Sequence, residues 1–288
     1  MKSRIFSTGK FFMVLGLMII VVALAACSSS PTTSTTPAKT TTAAPLYTTT
    51  SAAVPPSTSP AVPYTVNISS KPNLGNFLVD SKGMTLYYFT KDVINKSTAV
   101  GPVLAAWPLF NPATFSVPPS LNTADFGTIT REDGLKTAAY KGWPLYYYVK
   151  DAAPGDVLGE GVGGVWFVIK VPFYTIMLQT KADPGNFLVD QRGMTLYYFT
   201  KDSVGKSTAT GGVLAAWPLY NAVNFVTIST LNPADFSTIT RDDSLKVSAY
   251  KGWPLYYFAK DQVSGDTLGQ GVGGIWYVID PAKFPPAP

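Results

Sequence analysis

Four occurrences of one short pattern contain many of the side chains that could do chemistry. The pattern is a tyrosine, an aromatic residue two positions later and an aspartate three positions after that. It occupies Tyr87, Phe89 and Asp92; Tyr146, Tyr148 and Asp151; Tyr197, Phe199 and Asp202; and Tyr256, Phe258 and Asp261. Aromatic rings can stack on sugars and other flat ligands. These residues are therefore a candidate ligand-binding set.

A glycine-rich loop that occurs twice holds the second group of polar candidates. It carries Asp151, Asp156 and Glu160, and then Asp261, Asp266 and Gln270. Oxygen ligands on such loops suit Ca²⁺, which makes the four aspartates a candidate cation site, although Gln270 replaces Glu160 and the spacing is not that of the 12-residue calcium loop. Two alternatives are open: turns anchored by aspartate, and glycoside hydrolysis by carboxylates, which requires two acids beside one cleft.

Composition excludes many other activities. The 288 residues include no His and one Cys. A Ser/His or Cys/His nucleophilic pair, a His-liganded metal and an internal disulfide are therefore ruled out, and we expect no cofactor and no enzymatic activity. Much of the net charge of +5 comes from Lys2, Arg4 and Lys10, so we expect no nucleic-acid partner.

The elements that must position the aromatic motifs are predicted to be β-strands. Residues 77–79, a turn at 80–83 and residues 85–90 have the composition of a hairpin. On a strand Tyr87 and Phe89 share one face and Tyr88 lies on the other. Either the rings fill a core while Asp92 caps the next turn, or the tyrosines of the second face form an outward stacking platform. Those tyrosines are Tyr88, Tyr147, Tyr198 and Tyr257.

An internal repeat organises the chain after Tyr64. Residues 73–170 align without a gap on residues 183–280, with 64 of 98 positions identical. A weaker repeat, shifted by 59 residues, relates residues 83–92 to 142–151. The sequence thus predicts an all-β fold, a tandem duplication of a domain of about 100 residues, each built of two related hairpin units. A sandwich or barrel is expected, with a propeller-like arrangement as the alternative.

The N-terminal segment predicts export. Basic residues precede an uncharged apolar stretch that ends at Leu24-Ala25-Ala26-Cys27. This ending resembles the lipobox of prokaryotic lipoproteins, which implies cleavage before Cys27 and lipidation of its thiol. Of residues 28–63, 31 of 36 are Ser, Thr, Pro or Ala. We predict a signal peptide at 1–26, the lipidated Cys and a linker at 27–63, and β domains at 64–171 and 172–288.

The repeated words resemble one family. Besides the Tyr-x-aromatic-x-x-Asp motif, the chain has Leu78-Val79-Asp80-x-x-Gly83-x-Thr85-Leu86-Tyr87 and Trp107-Pro108. Together they resemble the secreted-repeat lipoproteins of bacteria and archaea, whose function is undefined. Family members often have a Cys pair, at whose positions this chain has Ala99 with Val103 and Ala209 with Val213. They also often carry a His where Trp143 and Trp253 stand.

These observations together predict a lipid-anchored protein on the outer face of the cell membrane. We expect a non-catalytic binding or envelope-structural module whose partners are the membrane and either an envelope polysaccharide or a surface protein. A carboxylate-dependent hydrolase of envelope polysaccharide and a Ca²⁺-binding adhesion module are the alternatives.

Overall fold

A computed structural model describes residues 64–284. The predicted signal peptide, Cys27 and the linker lie outside these residues. Within the described range no helix is long and apolar enough to cross a membrane.

The described chain is a tandem of two copies built from short strands. In the first copy the strands are β1 (Val66–Lys71), β2 (Gly75–Asp80), β3 (Tyr87–Phe89), β4 (Phe126–Thr130), β5 (Lys136–Tyr140), β6 (Trp143–Pro144), β7 (Trp166–Val168) and β8 (Lys170–Val171). In the second they are β9 (Ile176–Thr180), β10 (Asn186–Asp190), β11 (Tyr197–Phe199), β12 (Phe236–Thr240), β13 (Lys246–Tyr250), β14 (Trp253–Pro254) and β15 (Trp276–Val278). The helices are α1 (Pro102–Ala106), α2 (Gly212–Ala216) and short 3-10 helices at Thr123–Asp125, Val162–Gly164, Pro233–Asp235 and Val272–Gly274.

The strands form small antiparallel sheets of two or three strands. The first copy has the sheets β1-β2-β8, β3-β7 and β4-β5-β6, and the second has β10-β9, β11-β15 and β12-β13-β14. The predicted all-β tandem fold is confirmed, but the described strands do not close into a barrel. β8 has no strand counterpart in the second copy, where Pro281 replaces Val171 and has no N–H to donate.

The predicted hairpin around residues 77–90 forms only near its turn. Asp80 Oδ1 accepts the N–H groups of Lys82 and Met84 at 2.8 and 2.9 Å, and Gly83 takes the positive φ that the turn requires. Val79 bridges Thr85 beyond the turn. The chain then leaves its neighbour, because β3 pairs with β7 instead.

A stack of four rings crosses the interior of each copy. Trp107 and Trp166 lie parallel with centroids 3.9 Å apart. Phe89 covers the outer face of Trp166 at 4.2 Å, and Tyr148 covers that of Trp107 at 4.1 Å. The second copy repeats the order with Phe199, Trp276, Trp217 and Phe258. Stacked pairs of this kind contribute about 0.5–1.5 kcal/mol each beyond their burial.

The two copies share a core. One cluster of buried apolar residues continues from Tyr88 and Trp143 of the first copy through Tyr174 into Met177 and Leu188 of the second. The segment between the aligned repeats contains β9, the first strand of the second copy. The two copies are therefore packed together.

Gly159 tests the four-ring stack. A Cβ at this position would lie 2.7 Å from Trp107 Cη2 and 2.8 Å from the Tyr87 ring. We expect Gly159→Ala to destabilise the whole chain by about 2 kcal/mol through overpacking, measured by urea unfolding. Gly127→Ala is the matched control, since its Cβ would meet no atom within 4 Å. Equal stability of the two variants would contradict the described packing.

Candidate functional site

The signature residues of each copy meet in a reciprocal exchange. Tyr87 Oη donates to Asp151 Oδ2 at 2.7 Å, while Tyr146 Oη donates to Asp92 Oδ2 at 2.7 Å. The backbones of the two tyrosines pair in both directions at 2.9 Å. Thus the tyrosine of each motif in a copy bonds the aspartate of the other motif.

The second copy has the same exchange. Tyr197 donates to Asp261 and Tyr256 donates to Asp202, both at 2.6 Å. All four hydroxyls belong to fully buried tyrosines. The two related hairpin units that the sequence predicted in each copy are therefore joined by an approximate two-fold relation between their motifs.

Each motif aspartate also fixes a loop. Asp92 Oδ1 accepts the N–H of Thr98 at 2.6 Å, and Asp151 Oδ1 accepts that of Leu158 at 2.9 Å. This arrangement matches the expectation that the rings fill a core while the aspartate caps the turn that follows. The capped N–H groups lie six and seven residues away, farther than in the Asx turn that the sequence suggested.

A buried arginine, which the sequence analysis missed, extends the network. Ser97 Oγ lies 2.6 Å from Tyr146 Oη, and the Arg131 guanidinium donates to Ser97 Oγ and to the carbonyl oxygen of Ala99. Asp133 pairs with the same guanidinium at 2.9 Å. The second copy uses Ser207, Arg241, Ala209 and Asp243 in the same way. The identical Arg-x-Asp spacing at 131 and 241 was the available signal.

Burial sets the protonation of the exchange. Removal from water raises the pKa of Asp92 to about 6, against the lowering effect of the Thr98 N–H, Tyr146 and Arg131. Burial likewise raises the pKa of Asp151, Asp202 and Asp261 above the ordinary aspartate value. It also raises the pKa of Tyr146 well above 10, so that tyrosine remains a donor.

The tyrosines of the second strand face do not form an outward platform. Tyr88 and Tyr198 are buried, packed edge-on against Trp143 and Trp253. Tyr147 and Tyr257 are half-buried, and their hydroxyls donate to Asp80 and Asp190 at 2.9 Å. The alternative of an outward platform does not hold, because both faces of β3 and β11 lie against other parts of the protein and Asp80 and Asp190 hold the hydroxyls of the other two tyrosines.

The loop aspartates are engaged by backbone donors. Asp156 Oδ2 accepts the N–H groups of Ala152 and Ala153, and Asp266 Oδ2 accepts those of Gln262 and Val263. No group of three or more His, Cys, Asp or Glu side chains in residues 64–284 is arranged to hold a metal ion. This geometry corresponds to the aspartate-anchored turn and argues against a cation site at these loops.

The positions at which family members often carry Cys or His have apolar roles. Ala99 is buried in the aromatic cluster and Val103 packs against that cluster. Trp143 is fully buried, and its Nε1 donates to the carbonyl oxygen of Gln191 in the second copy at 3.1 Å. Trp253 is half-buried against Phe284.

A cavity of about 540 Å³ lies where β4 approaches the second copy. Its walls include Ile94, Phe126, Arg192 and the ion pair between Lys141 and Asp125 at 2.9 Å. Asp125 is the single carboxylate residue among its described lining residues. Hydrolysis by two carboxylates needs a second acid across the cleft, and this cavity does not supply one.

Family comparison agrees with the four-unit architecture. Four segments, at residues 69–111, 127–170, 179–220 and 237–280, match one family model, described as a secreted repeat of unknown function. The chain belongs to this family. The predicted resemblance is thereby confirmed, and membership places the protein outside the cytoplasm. Neither the curated proteins nor the solved structures include a significant match to the chain.

The exchange predicts that replacing Tyr87 lowers the free energy of unfolding much more than replacing Tyr148. Tyr87→Phe leaves the buried Asp151 without its phenol donor, so we expect a loss of about 2 kcal/mol in the free energy of unfolding, measured with urea. Tyr148→Phe should cost less than about 0.5 kcal/mol, because the second copy has Phe258 at this position. A double-mutant cycle with Asp151→Asn should give a coupling of about 1–2 kcal/mol. Additive effects would contradict the exchange.

The raised pKa of Asp92 predicts a pH dependence of stability. Folding raises this pKa from 3.8 to about 6, so the folded protein binds the proton more tightly than the unfolded chain. The contribution of Asp92 to the unfolding free energy is therefore greatest below pH 4 and falls, by at most about 3 kcal/mol, as pH rises through 6. Urea unfolding of the wild type and Asp92→Asn at pH 4 and 7 should show a wild-type advantage that shrinks with pH. An equal difference at both pH values would contradict this titration.

Proposed function

We propose that the protein is a non-catalytic, lipid-anchored module of the cell surface. Cys27 supplies the membrane anchor, residues 28–63 serve as a spacer, and the two β copies form the body that the spacer holds away from the membrane. The position of the chain's single Cys, directly after the apolar stretch and Leu24-Ala25-Ala26, supports the anchor. The secreted-repeat family supports the extracellular location.

The fate of the signature residues is the observation that supports a non-catalytic role most strongly. In each copy the tyrosine of one motif donates a hydrogen bond to the aspartate of the other motif, and both groups lie in the interior. A catalytic acid or base has to reach a substrate, whereas these groups are buried and engaged. The signature residues thus stabilise the interior of the protein, which suits an envelope-structural or binding module.

The body is also shaped to resist local opening. Loops that follow each motif are tied down by Asp92, Asp151, Asp202 and Asp261, and glycine loops are anchored by Asp156 and Asp266. Rigid presentation is useful to a module that holds a partner or spaces other surface components.

One experiment tests both parts of the proposal. Cells producing the whole chain or its Cys27→Ser variant are fractionated, and each fraction is incubated with a panel of envelope polysaccharides. When the cells are fed labelled palmitate, we expect wild type in the membrane fraction with the label, Cys27→Ser without the label, and no glycan cleavage by either. Labelling of Cys27→Ser equal to that of wild type, or no labelling of wild type, would overturn the lipid anchor.

Glycan cleavage would instead support the hydrolase alternative. The variant Asp156→Asn provides the check, since activity lost in this variant would assign catalysis to the loop carboxylate. Thermal unfolding of the same preparations with each polysaccharide reports binding without turnover, because a ligand at 100 times its Kd stabilises the folded state by about 2.7 kcal/mol. A shifted midpoint identifies the ligand class of the module.

A further inference from the structure

The first copy contacts the second mainly through one face, and beside it Lys170 Nζ donates to the carbonyl oxygen of Thr227 at 3.2 Å. This forward face of the first copy consists of Thr90, Asp92, Ile94 and Trp143, and the rear face of the second copy consists of Gln179, Thr180, Gln191 and Ser264. Five hydrogen bonds join the faces: Thr180 N–H to Thr90 O at 3.0 Å, the two threonine hydroxyls at 3.0 Å, Gln179 Nε2 to Asp92 O at 3.0 Å, Ile94 N–H to Ser264 Oγ at 3.2 Å, and Trp143 Nε1 to Gln191 O at 3.1 Å.

The second copy has the same forward face without an occupant in the described chain. Its residues are Thr200, Asp202, Val204 and Trp253. Thr90 is fully buried by the second copy, whereas Thr200 is exposed, and the Val204 side chain is 69% exposed. Within residues 64–284 no acceptor meets Trp253 Nε1, the counterpart of the bonded Trp143 Nε1.

The first copy has a matching rear face, also exposed. Ser70 occupies the register position opposite Asn76 that Thr180 occupies opposite Asn186. Its N–H therefore points to the sheet edge, as the Thr180 N–H does, and its hydroxyl replaces the threonine hydroxyl. Ser81 has the place of Gln191 and offers the same backbone carbonyl oxygen. Three of the five hydrogen bonds thus keep both partners.

We propose that the forward face of the second copy binds the rear face of the first copy in another molecule of this chain. The contact repeats the one between copies inside the molecule, with Ser70 against Thr200 and Ser81 against Trp253. Because the two faces differ, the contact is head-to-tail and does not close on itself as a two-fold dimer does. It joins molecules into open strings and does not depend on the proposed anchor.

The sequence differences between the rear faces make this contact weaker than the internal one. Ser69 is too short to reach the carbonyl oxygen that Gln179 reaches, and Pro154 has no hydroxyl in place of Ser264. Asn67 replaces the buried Met177. Phe284 already packs on Tyr198, where Tyr174 packs on Tyr88 in the first copy, so the incoming chain docks through residues that follow Tyr64. Association therefore requires a high local concentration, as on a surface.

Disulfide trapping on the whole chain tests the contact. Ser70→Cys and Thr200→Cys, both at exposed positions, are produced separately, and the two membrane preparations are solubilised, mixed, reconstituted together at high density into lipid vesicles and mildly oxidised. We expect a covalent dimer in the mixture, in at least about tenfold excess over the mixture of Ser70→Cys with Thr238→Cys, because the contact orients only the first pair. Thr238 is exposed on the edge strand β12, away from the forward face.

Three controls keep the outcome decisive. Thr90→Cys with Thr180→Cys in one chain should form an internal disulfide, because their hydroxyls lie 3.0 Å apart. Val204→Asp added to Thr200→Cys should reduce the dimer to the level of the Thr238→Cys mixture. Oxidation of the wild-type chain measures cross-linking through Cys27 alone. A wild-type dimer would show a free Cys27 thiol and would overturn the anchor. Dimer yields equal to the control mixture, or dimers of Thr200→Cys with itself in excess, would overturn the head-to-tail contact.

Discussion

Four buried carboxylates, each satisfied by a phenol and by backbone N–H groups, are the constraint on which the fold depends. Burying a carboxylate is costly unless its oxygens are hydrogen-bonded. Here Tyr87 meets Asp151 and Tyr146 meets Asp92, so each unit of a copy can bury its aspartate only when the other unit is present. The exchange therefore makes the two units of a copy fold as one, and the cation Arg131 reaches only one of the two pairs through Ser97.

The spacing of the signature follows from this geometry. Tyr87 crosses to the partner unit, Phe89 two residues later enters the ring stack on the same side of the strand, and Asp92 comes after a tight turn in which its N–H bonds to the carbonyl oxygen of Phe89 at 3.0 Å. A shorter spacing would place the carboxylate on the strand itself. One motif thus contains both side chains that its unit contributes to the exchange.

The sequence predicted the β class, the duplication, the four units and the turn at residues 80–83, because identities and alternation are local signals. It did not predict that both faces of β3 are buried, since burial of the second face depends on Trp143 and on Tyr174 from a distant segment. The reciprocal pairing of tyrosine with aspartate was also missed, because sequence shows neither which repeats meet nor in which direction. The sequence did not reveal the first strand of each copy, β1 or β9. The two strands differ in sequence, and the copies share only the Tyr-Thr that precedes each strand and one Lys at its end.

Tyr174 belongs to both copies at once. It closes the first copy by packing on Tyr88 and donating to the carbonyl oxygen of Val168 at 2.7 Å, and with Thr175 it opens the second copy as Tyr64 and Thr65 open the first. Phe284 packs on Tyr198 at the same place in the second copy, without a hydroxyl to donate. A duplicated segment that begins at this tyrosine carries both the ring that covers the core of the preceding copy and the first strand of its own copy. Duplication of such segments lengthens the chain by whole copies, and each added copy completes the core of the one before it.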